Sequence, residues 1–86
     1  MKKEFKVIAE LLSNNTRVLD IGCGDGSLMA LLKKDKNIEV RGLELNQDKV
    51  QQCIHKGLPV IQGNAETELH KFPNQSFDYV ILNQTL

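Results

Sequence analysis

Apolar residues recur along this chain at two spacings, and the switching between them outlines the fold. Near the start, Phe5, Ile8 and Leu12 fall on one helical stripe with Leu11 beside it. Residues 1–13 are therefore predicted as an amphipathic helix of about three turns, stopped by Ser13-Asn14-Asn15. Arg17–Ile21 (RVLDI) is nearly continuously apolar, as suits a strand buried on both faces. A helix over about Ser27–Lys34 buries Leu28, Leu31 and Leu32, ends at Asp35-Lys36-Asn37, and gives way to a second strand, Ile38–Leu43. Asn46 is placed to cap a third helix, about Gln47–Lys56, whose buried stripe is Val50, Cys53 and Ile54. Gly57 suits the left-handed residue that closes such a helix. Pro59 opens a short strand, Val60–Gln62; Glu66–His70 reads as one helical turn, Phe72–Ser76 as a turn-rich connector, and Phe77–Leu82 as a fourth strand.

Strands alternating with helices imply a parallel sheet with right-handed crossovers. The expected fold is α/β, a Rossmann-like doubly wound sheet in spatial order 3-2-1-4, with a cleft at the carboxyl ends of the first and fourth strands. A sheet of this kind continues past a strongly apolar fourth strand, and an uncovered apolar edge promotes aggregation. Residues 1–86 are thus expected to be the N-terminal, cofactor-binding half of one longer domain.

Composition narrows the function more than the fold. Eleven basic residues balance eleven acidic ones without a long basic run, so nucleic acid is not the expected partner. Glu4 and Glu10 interrupt the apolar part of the opening, and no apolar run approaches the roughly 20 residues of a membrane span. A cytoplasmic protein without a membrane partner is expected. Cys23 and Cys53 lie thirty positions apart, a spacing from which neither a zinc site nor a disulfide framework follows. His55 and His70 are single, with no partner at ligand spacing, and Asp78 reads as structural.

The chemistry concentrates in RVLDIGCGDGS, residues 17–27. Gly22, Gly24 and Gly26 permit positive φ and let a ligand lie against the backbone, while the helix that follows aims its N-terminal N–H groups the same way. Cys23, between glycines, suits close packing better than nucleophilic attack. Two ligand classes fit such a turn followed by Glu44 at the end of the second strand. The dinucleotide fingerprint G-x-G-x-x-G starts correctly at Gly22 and Gly24 but meets Ser27 at its third position. The observed run is D-x-G-x-G-x-G, with Asp20 two residues before the first glycine.

That run resembles motif I of class I S-adenosylmethionine-dependent methyltransferases. The resemblance implies that Asp20 helps hold the cationic methionine end, that the glycine backbone serves the carboxylate, and that Glu44, next to Leu45, accepts from the ribose hydroxyls. It also implies that the loop carrying Asn64 and Ala65 meets the adenine. Family members often have Asp where this chain has Asn64, which keeps a carbonyl acceptor but loses the charge-assisted component, about 1 kcal/mol. Asn83, Gln84 and Thr85 stand where acceptor contacts would begin. The implied cofactor site is Asp20, Gly22, Cys23, Gly24, Gly26, Glu44, Leu45, Asn64, Ala65 and Asn83, with no metal.

RVLDIGCGDGSL, RGLELNQDKVQQCIHKGLPVIQGNAE and FPNQSFDYVILNQTL together resemble the MetW family of methionine biosynthesis. This resemblance implies S-adenosyl-L-methionine as cofactor and homoserine O-acyltransferase as partner. Methyl transfer needs mainly proximity and orientation, so the absence of an acid–base pair does not exclude it. A methyltransferase, a non-catalytic S-adenosylmethionine-binding partner of the acyltransferase, and a nicotinamide-binding fragment all remain as readings.

Overall fold

The computed structural model describes residues 3–83. Its central strand is β1 (Arg17–Ile21), paired in parallel with β2 (Glu39–Glu44) on one side and β4 (Tyr79–Leu82) on the other. β3 (Val60–Gln62) adds beyond β2, giving the order β3-β2-β1-β4 that the alternation of elements predicts. The register sets Asp20 beside Gly42 and Ile81, and Glu44 beside Gln62. The carboxyl ends of all four strands therefore open on one rim.

Both faces of the sheet are covered, which is why β1 reads as apolar on both sides of its pleat. On one face Val18 and Val40 meet Phe5 and Ala9 of α1 (Lys3–Leu11) and Leu28, Leu31 and Leu32 of α2 (Ser27–Asp35). Cys53 of α3 (Gln47–His55) joins the same cluster. On the other face Leu19, Ile21 and Leu43 pack with Ile61, Phe77, Phe72 and Ala65, the last opening α4 (Ala65–Glu68). A 3-10 turn over Leu69–Lys71 continues from α4 and delivers Phe72 onto Phe77, the rings meeting edge to face at 5.2 Å. That packing accounts for β4 beginning two residues later than expected, at Tyr79.

Other departures are matters of which flank of a stripe meets the sheet. Leu11 and Ile54, expected beside or within buried stripes, point to solvent, while Met29 and Leu58 are buried instead. Met29 fills the space over Gly42, where an added Cβ would lie 2.6 Å from Met29 Cε and 2.7 Å from Cys23 Sγ. Val80 and Leu82 of β4 are exposed at 54% and 71%, so this strand's outer face is uncovered by the described residues. Asp78 is structural, as expected: its Oδ2 accepts from Arg17 N at 2.8 Å and lies 3.5 Å from Arg17 Nε, tying the chain before β4 to the start of β1. Among the described residues no helix is long and apolar enough to cross a membrane.

Candidate functional site

The β1 strand runs into the glycine loop through its last two residues. Gly22, Gly24 and Gly26 have φ of 75°, 61° and 86°, the left-handed region that side chains with a Cβ resist. The sequence suggests that the loop amides face a ligand; the structure turns several of them toward the protein. Gly22 N and Cys23 N both donate to Leu43 O, at 2.7 and 3.2 Å. Gly24 N donates to Glu44 Oε1 at 2.7 Å, Gly26 N to Cys23 O at 3.1 Å, and Ser27 N to Asp25 Oδ1 at 3.0 Å. The loop is thus shaped by β2 and by its own side chains. Asp25 also accepts from Ser27 Oγ at 2.6 Å, and that bond leads in holding its pKa below the ordinary value.

Asp20 is the buried acid of the site. Its side chain is fully covered, and neither carboxylate oxygen has a hydrogen-bond partner among the described residues. Burial pushes its pKa from 3.8 up to about 7; the Asn83 amide, near enough to lower it although outside hydrogen-bond geometry, offsets part of this, and the Glu44 charge adds to it. Asn83 follows β4, its N–H bonded to Ile21 O at 2.7 Å, and its own side-chain Nδ2 is likewise buried without a partner. The structure therefore brings together a carboxyl and an amide separated by 63 positions, both short of partners. Orphaned buried groups of this kind are rare in native folds and mark places where a ligand or water completes the set.

Glu44 ends β2 half-buried, with Oε1 on Gly24 N and Oε2 on Asn46 N at 2.9 Å. Asn46 in turn caps α3, its Oδ1 accepting from Lys49 N at 3.1 Å. Asn64, past β3, performs the same service for α4: its Oδ1 accepts from Thr67 N at 2.9 Å and lies 3.2 Å from Thr67 Oγ1. An open cleft of about 260 Å³ lies between these strand ends, lined by Ile21, Gly22, Leu43, Glu44, Leu45, Gly63, Asn64 and Ala65. Its walls are mostly apolar, and Glu44 supplies the one carboxylate among them. Two larger grooves, about 450 and 440 Å³, open instead among Arg17, Glu39, Val40 and Pro59, at the amino ends of the strands. Neither holds a cluster of convergent acids, and the chemistry stays at the carboxyl rim.

Cys23 contributes its backbone to the loop while its side chain is packed in the core. The fold sets its Sγ 4.0 Å from Cys53 Sγ, and Cys53 Sγ donates to Gly24 O at 3.2 Å. Burial, first among several causes, raises the pKa of both thiols, so they are protonated and unreactive at neutral pH. Both are free cysteines, and no group of three or more metal-ligating side chains occurs among the described residues. Two contributors to the site escape sequence reasoning: the Leu43 carbonyl that holds two loop amides, and the pair of backbone hydrogen bonds that Glu44 accepts. Backbone acceptors leave no residue-type signal, and a carboxylate's partner 20 positions away is set by strand pairing.

A parallel 3-2-1-4 sheet with a glycine loop and an acid at the end of its central strand, and a second acid at the next strand end, is the architecture of class I S-adenosylmethionine-dependent methyltransferases. Solved structures agree. A SAM-dependent methyltransferase from Archaeoglobus fulgidus superposes with a TM-score of 0.77 at 31% identity, over 90% of this chain and 34% of that one. A SAM-dependent methyltransferase from Thiobacillus denitrificans, solved with S-adenosyl-L-homocysteine, superposes at 0.76 over 93% of this chain and 35% of that one; at 20% identity it shows the fold alone.

Within that class the family is settled by sequence: residues 2–86 match the family model of methionine biosynthesis protein MetW, and this chain belongs to the MetW family. The bifunctional methionine biosynthesis protein MetXA/MetW of Rhodopirellula baltica is 32% identical over 87 aligned positions, covering 92% of this chain. The chain spans only 14% of that relative and about a third of the solved neighbours.

The residues present fit S-adenosylmethionine. The ligand's ammonium and sulfonium are cations, and Asp20 is a buried carboxyl lacking any partner among the described residues. The cleft at the same rim, lined by Ile21 and Gly22 but not by Asp20 itself, pairs apolar walls with the Glu44 carboxylate.

Proposed function

We propose that this protein binds S-adenosyl-L-methionine at the carboxyl rim of its sheet and serves methionine biosynthesis together with homoserine O-acyltransferase. The observation that carries the cofactor reading is Asp20, a covered carboxyl whose oxygens have no hydrogen-bond partner among the described residues. Membership of the MetW family, and a relative whose name joins MetXA to MetW, support the pathway and the partner. That this chain covers about a third of the solved neighbours supports reading it as the cofactor-binding part of a larger domain.

The assignments follow from charge and shape. Asp20, with Asn83 beside it, balances the cationic amino-acid end. Gly22, Gly24 and Gly26, with the Cys23 backbone between them, let the ligand approach without meeting a Cβ. Glu44 takes the ribose hydroxyls, since a carboxylate has about four acceptor positions and two are in use. Leu45 and Ala65 wall the place of the base, with Asn64 at its edge. The bound cofactor supplies an electrophilic methyl group on sulfur. The protein's share is to hold it in place and exclude water, which is what an in-line displacement mainly requires.

Calorimetry tests the cofactor reading. Binding of S-adenosylmethionine is expected, weakened in Glu44→Ala and abolished in Gly24→Val, where a β-branched residue cannot hold φ near 61°. NADH binding with no response to S-adenosylmethionine would end it. Acyl transfer by the co-purified acyltransferase, assayed with and without this protein, tests the pathway role, and enhancement is expected. A second reading, methyl transfer to a small acceptor unrelated to acyl transfer, is favoured by the 31% identity to the Archaeoglobus methyltransferase. A methylated product with no effect on acyl transfer would establish it instead.

A further inference from the structure

Glu44 is already engaged in the free protein, and the pattern of that engagement has a consequence for the loop. Its two oxygens accept from Gly24 N at 2.7 Å and Asn46 N at 2.9 Å, so one side chain ties the middle of the glycine loop to the turn that opens α3. The two preceding loop amides, Gly22 N and Cys23 N, rest on the carbonyl of the adjacent residue, Leu43. Three successive amides of the loop are thus anchored on two consecutive residues of β2.

A run with glycine at every second position, all at positive φ, has little local preference for one shape. Glycine has the most backbone freedom to lose, so ordering the run is costly unless something outside it holds its shape. Hydrogen bonds to an ionised carboxylate are roughly twice as strong as those between neutral groups. The Glu44 bonds therefore restrain the Gly24 amide from outside the loop, while Asp25 and Lys56 hold the residues that follow.

We propose that Glu44 is a positioning residue as well as the ribose-binding group assigned above: it holds the glycine loop in its ligand-receiving shape before the ligand arrives. Part of the affinity it confers is then preorganisation rather than contact. The ligand arm of the test rests on the cofactor reading above; the ligand-free arm does not.

Glu44→Gln keeps the size of the side chain but replaces one acceptor oxygen with an NH₂ donor. Amide hydrogen exchange on the ¹⁵N-labelled free protein is expected to quicken at least about tenfold at Gly24 or Asn46, with Gly22 and Cys23 following, while amides paired between β1 and β2 keep their protection. If the glutamine variant loses that strand protection too, Glu44→Asp, which retains the charge on a shorter stem that cannot span both amides, carries the same expectation. Calorimetry then compares S-adenosylhomocysteine with its 2′,3′-dideoxy analogue, which has no ribose hydroxyls for Glu44 to hold. Positioning predicts that Glu44→Gln weakens the analogue as well, by about tenfold.

Equal affinity of wild type and variant for the analogue, or unchanged exchange at Gly24 and Asn46, overturns the proposal. Failure of the wild type to bind S-adenosylhomocysteine at all overturns the cofactor reading instead, and the exchange measurement then decides the positioning role alone.

Discussion

Replacing Asp20 with Asn should make the free protein more stable at neutral and alkaline pH and flatten the pH dependence of its stability. In the unfolded chain this carboxyl titrates at its ordinary value of 3.8; in the folded chain burial moves it to about 7. Folding therefore favours the protonated form. The contribution to stability is fully present below about 3.8, declines as pH rises, and is lost once pH passes about 7, where both states are ionised. The gap between those values corresponds to about 4 kcal/mol at about 1.4 kcal/mol per tenfold, of which about 2–3 falls between pH 5 and pH 8. An amide of the same shape does not titrate. The difference in unfolding free energy between Asp20→Asn and wild type, from urea melts, should then grow by about 2–3 kcal/mol from pH 5 to pH 8. Other titrating groups are common to both proteins and cancel. At pH 8 the variant gains less than the full amount, because its new Nδ2 enters a site where Asn83 Nδ2 already lacks a partner. Parallel stability curves for the two proteins across this range would refute the reasoning, since they would mean the Asp20 carboxyl is not held in its protonated form by burial.

Other outcomes follow from the same geometry. If the ionised Asp20 is the form that meets the cationic ligand, the dissociation constant for S-adenosylmethionine should be about tenfold weaker at pH 6 than at pH 8, and Asp20→Asn should remove that dependence; calorimetry at the two pH values reads both. Gly42→Val should cost about 1–3 kcal/mol in a chemical melt, because even its Cβ would sit under 3 Å from Met29 and Cys23 in a close-packed layer. Asn46→Ala should cost about 1 kcal/mol by removing the cap on α3; circular dichroism melts detect it.

Much of this molecule is legible along the chain. The spacing of Phe5, Ile8 and Leu12, the apolar run at Arg17–Ile21 and the alternation after it announce the elements, because helix and strand bury residues at periods of 3.6 and 2. Right-handed crossovers then leave few sheet orders to choose from, and the one expected is the one found. Glycines at every second position and acids at strand ends mark the rim, since those residue types are costly elsewhere in a buried sheet.

The tertiary structure decided what a linear pattern does not encode: which groups meet. It placed Ile54 of α3 outward and Leu58, past the turn that ends that helix, inward. It brought Cys53 to within 4.0 Å of Cys23 across thirty positions. It left Asp20 and Asn83 side by side without hydrogen-bond partners among the described residues, and turned Glu44, expected to meet ribose hydroxyls, onto the amide of Gly24 as well. Hydrophobic burial is non-directional and summed over many residues, so sequence alone conveys it. Hydrogen bonds and pKa values depend on individual distances of a few ångströms, and only strand pairing in three dimensions sets those.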